Sequence, residues 1–105
     1  MRQKGKKPAT CYYGFRNERG THVYADSRPL PLRLDIWQHC GIFDWGSDGP
    51  GDAQLAVAIL GDALVNKRKA RELHQAFKVE VISKLDFNGW FLTSRDVQDI
   101  AKTLK

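Results

Sequence analysis

"FDWGSDGPGDAQLAVAIL", residues 43–60, passes from a glycine-rich bend into an unbroken apolar run. The pattern continues to Leu64, and Leu55, Val57, Ile59 and Leu60 are spread round a helical wheel instead of forming one stripe. A helix that is apolar on nearly every side must be buried on nearly every side. Residues 52–64 are therefore predicted to form the central helix. Gly51 is its expected N-cap, and Asp52 opens it with a charge that suits the positive end of the helix dipole. Gln54 is placed to reach back to the loop backbone. A bend of this kind can also cradle a phosphate, through backbone amides aimed at the anion and a nearby lysine or arginine. Residues 34–66 contain no Lys or Arg, while Asp44, Asp48, Asp52 and Asp62 all lie there. The spacing fits neither the Walker nor the dinucleotide pattern, so the bend is expected to serve shape.

Upstream, "CYYGFR" (residues 11–16) and "THVYA" (residues 21–25) are rich in aromatic and β-branched residues and are separated by "NERG". This is the pattern of a β-hairpin, with Cys11, Tyr13 and Phe15 on one face and Tyr12 and Arg16 on the other. Pro29 and Pro31 deny the next stretch a helix or a central strand, and "LRLDIWQHC" is read as a short helix closed by Gly41. Downstream, Ala70, Leu73, Phe77, Val81 and Leu85 recur at helical spacing, which predicts an amphipathic helix over residues 67–85 ended by Asn88 and Gly89. "GWFLT" reads as a strand. The final helix opens with Thr93 and Asp96 at capping-box spacing. The whole predicts an α+β fold in which a small antiparallel sheet, an N-terminal hairpin plus a C-terminal strand, packs against three to four helices.

The 105-residue length suits one domain, read as a basic flexible tail over residues 1–9 and a folded unit over residues 10–105. The net charge of +5 is concentrated in that tail, where Arg2, Lys4, Lys6 and Lys7 stand; the other basic residues nearly balance the 12 acidic ones. No run is long and apolar enough for a membrane span, and no apolar stretch follows the basic start as a secretory signal requires. The expected location is the cytoplasm, with Cys11 and Cys40 as free thiols.

The run "GIFDWGSDGPGDAQLAVAIL" resembles a family of small uncharacterised bacterial and phage proteins, a domain of unknown function. The resemblance rests on an aromatic residue before a Trp-Gly pair, a glycine-rich turn and an Ala-Gln-Leu-Ala helix start. Here these are Phe43, Trp45, Gly46, Gly49, Gly51 and Ala53 through Ala56. It extends loosely over "YYGFR", "RPLPL", "FKVEVISKL" and "WFLTSRDVQDI". The family pattern places proline just before Ala-Gln, whereas this chain has Asp52 there and Pro50 two places earlier. The resemblance implies an accessory gene of a phage or bacterium and brings no activity.

No catalytic residue, metal site or cofactor is expected. His39 and Cys40 are adjacent, and no second close ligand pair accompanies them. Cys40, His22 and Asp35 form only the kind of trio any chain this long offers. Asp44, Asp48 and Asp52 recur every four residues, but the intervening glycines and proline preclude a helix that would align them. His74, on an apolar stripe, reads as a packed side chain bonded to backbone. The leading expectation is a non-enzymatic binding module that recognises a macromolecular partner, a protein above all. It suits a phage or mobile-element product that interferes with a host defence system. Trp45 and Phe43, rimmed by Asp44 and Asp48, are the candidate partner-binding residues, against the plainer reading that Trp45 is a lid packed on the core. The alternative is a nucleic-acid binder using Lys4, Lys6 and Lys7 with the cluster Lys67, Arg68, Lys69 and Arg71. Tyr12, Tyr24 or Trp90 would then stack on single strands. A third reading, a nucleotide sponge or small enzyme, rests on the glycine corner.

Overall fold

The NERG turn does what its residues suit it for: Glu18 and Arg19 form the tip, and Gly20 takes the positive φ of 112° that closes it. In the computed structural model, which describes residues 8–104, strands β1 (Cys11–Asn17) and β2 (Gly20–Ala25) follow, with Tyr13 opposite Tyr24 and Phe15 opposite His22. A two-residue strand β3 (Arg28–Pro29) pairs with the end of β2. The C-terminal strand β4 (Gly89–Thr93) pairs antiparallel with the other side of β1, placing Tyr13 opposite Phe91. The sheet order is β3-β2-β1-β4. Pairing residues share a face, so Tyr12, Gly14, Val23, Ala25, Trp90 and Leu92 form the inner side. Gly14 is required there, because a Cβ would lie 2.7 Å from the Trp90 indole.

Helix α1 (Pro50–Leu64) is the buried centre: Leu55, Val57, Ile59 and Leu60 are all inaccessible to solvent. It starts earlier than predicted. Gly49 is the N-cap and Pro50 opens the helix, because proline at that position sacrifices no hydrogen bond. Gly51 instead lies against Asp44, whose Cβ would be 2.7 Å from an added methyl. Helices α2 (Lys67–Glu80) and α3 (Ser94–Ala101) both pack on α1. The capping box at Thr93 and Asp96 forms, each side chain satisfying the other residue's backbone N–H.

Two expected features differ. Residues 30–49 contain no helix. A single turn forms at residues 34–36, after Arg33 adopts a left-handed φ of 60°. The polar backbone that a helix would pair internally is taken by Gln54, which is fully buried in α1. Its Oε1 accepts from the amides of His39 (2.6 Å) and Cys40 (3.0 Å), and its Nε2 donates to the carbonyls of Leu32 (2.7 Å) and Trp37 (3.0 Å). The second difference is that α2 ends at Glu80. Ile82–Lys84 forms a 3-10 turn, with Ile82 buried and its carbonyl accepting from Gly46 at 3.1 Å. Burying Ile82 therefore turns the chain before Asn88 and Gly89, and Gly89 lies in β4.

Candidate interaction surfaces

The glycine corner is built from side chains that bind one another. Asp52, fully buried, accepts from the backbone amides of Ser47 (3.1 Å) and Asp48 (2.8 Å) and from the Ser47 hydroxyl (2.7 Å). A protein carboxylate thus fills the place that an anionic ligand would take at those two amides. Arg16 reaches over the corner from β1. It pairs with Asp44 at 2.8 Å, donates to the carbonyls of Trp45 (3.0 Å) and Phe87 (2.6 Å), and lies over both rings, 4.6 and 3.7 Å from their centroids.

Trp45 is 0% exposed, bonded through Nε1 to the Phe87 carbonyl and set edge-on to Trp90. This burial matches the plainer reading of Trp45, a lid packed on the core, and leaves no exposed ring there to act as the partner-binding anchor. The rim residues are committed as well. Asp44 pairs with Arg16, Asp48 lies 3.2 Å from Lys78 Nζ, and the half-buried Phe43 packs against the core. The sequence brings these four together, but as a structural knot.

The basic cluster at the start of α2 is exposed but largely engaged. Lys67 pairs with Asp35 at 3.1 Å and Arg68 with Glu72 at 3.5 Å, while the Arg71 guanidinium lies 4.3 Å from the centroid of the Trp37 ring. Lys69 edges a groove of about 370 Å³ whose walls include Leu64, Leu73 and Lys102. Arg2, Lys4, Lys6 and Lys7 lie outside the described residues. Of the three rings considered for stacking, Tyr12 and Trp90 face inward, and Tyr12 donates to Asp62 of α1 at 2.5 Å. Burial and the bond to that carboxylate push the Tyr12 phenol well above its ordinary value. Only Tyr24 faces out.

Tyr24 belongs to a surface that sequence reasoning did not assemble. Tyr13, Tyr24, Phe15 and His22 stack across β1 and β2 on the outer face, with centroids 5.6, 6.3 and 4.9 Å apart in that order and planes within 22° of parallel. Phe91 stands beside them on β4, 62% exposed. No Lys, Arg, Asp or Glu occupies an outward position of β1, β2 or β4. The expected alternation had Tyr13 and Phe15 on one face; the missing step was the hairpin register, which the two-residue tip fixes.

A second unassembled cluster lies where residues 37–40 meet α2. His74 is 3% exposed and its Nδ1 is 2.7 Å from the Arg71 carbonyl, the backbone-bonded arrangement read for it from the sequence. Its Nε2 lies 2.9 Å from His39 Nε2, and the Trp37 ring packs against both imidazoles. Among the described residues, no group of three or more His, Cys, Asp or Glu side chains is placed to hold a metal.

A family described only as a family of unknown function, DUF6166, matches residues 12–103. No curated protein matches the chain, and no solved structure does.

Proposed function

Because the chain belongs to DUF6166, a family of unknown function, its activity must be argued from geometry, and we propose that it is a non-enzymatic binding module that docks a protein partner on the open face of its sheet. The aromatic ladder on that face carries the reading. Interface centres are depleted of charge and enriched in Tyr and Phe, which is the composition of this face. No outward Lys or Arg of β1, β2 or β4 stands among the four rings to hold the phosphate backbone that a nucleic acid would bring. The rings offer apolar aromatic surface with two phenol hydroxyls, a combination suited to the side chains of a protein. The cytoplasm is the proposed compartment; no helix of the described residues is long and apolar enough to cross a membrane. A phage or mobile-element origin, with a host defence protein as the partner, is the setting that the motif resemblance supports.

Affinity capture with matched baits tests this. A protein retained by the unmodified chain and by Lys69→Glu, but weakened at least tenfold by Phe91→Asp, is the expected result. Retention on heparin that falls steeply with salt, together with a partner indifferent to Phe91→Asp, would replace this reading with the nucleic-acid one.

A further inference from the structure

We propose that His39 and His74 form a one-proton latch that holds residues 37–40 on α2 and releases them when the pair is forced to carry two added protons. The hydrogen-bond geometry fixes the states. A carbonyl only accepts, so the Nδ1 that faces Arg71 O bears a hydrogen, and Nε2 is the sole position at which His74 can gain a proton. His39 Nε2 is 2.9 Å from that atom, a separation that holds one hydrogen between the two nitrogens. In the neutral pair this hydrogen belongs to His39, which donates it to the His74 lone pair. A first added proton goes to His39 Nδ1 and leaves the bond in place, now from an imidazolium to a neutral imidazole. A second has only His74 Nε2 to occupy. Two N–H groups on two cations would then face each other, and the bond must break.

The surroundings favour the neutral pair. α2 presents Arg71, whose guanidinium lies over Trp37, and Lys78, whose charge is partly answered by Asp48; Gln75 offers its amide nitrogen 3.3 Å from His74 Nε2. α1 contributes the uncharged Gln54, and the segment itself carries Trp37 and the Cys40 thiol. Burial, His74 and Lys78, in that order, hold His39 below its ordinary value. The sign follows: the neutral form of His39 is favoured, so the latch is closed in the neutral pair and loosens on acidification. Release would free Trp37 from its stack and the amides of His39 and Cys40 from Gln54, so an acid-exposed surface differs from the neutral one.

The test is nuclear magnetic resonance of the full chain between about pH 8 and about pH 4.5, the range in which histidine pairs titrate. It follows both imidazoles together with hydrogen exchange at His39 and Cys40, corrected for intrinsic rates. The expected result is that His74 keeps its Nδ1–H form while the pair takes up one proton with the amides still protected. Protection then falls tenfold or more as the second proton enters. His39→Gln, which offers both a donor and an acceptor and does not titrate, should abolish the fall. Independent titration of the two rings with unchanged protection, full protection through the whole range, or an unaltered fall in His39→Gln would each overturn the proposal. The imidazole signals of the unmodified chain decide the matter even if the variant folds poorly.

Discussion

Asp52 shows how a single side chain can be readable in kind and unreadable in use. Its position at a helix start predicted a favourable charge, and it does stand in the first turn of α1. Its three hydrogen bonds run backward into the bend, to donors that the sequence placed close by without showing their direction. Asp52→Ala would take the acceptor from two partly buried loop amides and from the Ser47 hydroxyl and should cost about 1–3 kcal/mol, read by urea unfolding. Val65 offers the opposite sign. This β-branched residue caps α1 in the left-handed region, at φ 51°, while 86% exposed. Val65→Asn removes that strain without losing packing and should stabilise the protein by about 0.5–1 kcal/mol in the same measurement. Asp35 gives a pH dependence. The hydrogen bonds from Arg33 and Lys67 hold its carboxyl well below the usual range. Its contribution is therefore complete above the unfolded value near about pH 3.9 and is lost as the pH falls through the folded one. Asp35→Asn should be less stable than the parent at neutral pH, with the difference closing on acidification.

Elements whose signals are local matched the sequence best. The hairpin followed from its turn, α1 from its uniform apolarity, and α3 from a capping box that is fully formed. Thr93→Ala should cost about 1 kcal/mol, measurable by thermal or chemical unfolding. Residues 30–49 were the failure, and the reason is tertiary. One buried amide, Gln54, satisfies four backbone groups of that segment, so an irregular path loses little hydrogen bonding relative to a helix. Propensity weighs the residues of a segment and cannot see a side chain that arrives from another element. Gln54→Leu keeps an apolar volume but orphans those groups. It should destabilise by roughly 3–5 kcal/mol and speed hydrogen exchange at His39 and Cys40 at neutral pH. The early end of α2 has a similar origin, since the burial of Ile82 outweighed the periodicity that continued to Leu85.

At the scale of the molecule, the α+β class and the one-sided layering of helices on a small antiparallel sheet could be read from the order of elements. The candidate site could not. Trp45 stood out because it is large and lies near glycines, but large aromatic residues beside a tight bend serve a core as readily as a surface. The four-ring ladder needs the register of β1 on β2 before its members meet, and Phe91 joins them only through a pairing with a strand far along the chain. Phe91→Asp should leave unfolding stability within about 0.5 kcal/mol of the parent, as exposed sites do, so a lost partner would reflect contact and not collapse. The same long-range pairing bears on biosynthesis. Cys11 is made well before its β4 neighbour, Thr93. Until β4 follows, one side of the first strand has an open edge, and a ribosome-bound fragment ending before Gly89 would carry it bare, inviting mispairing with other nascent chains.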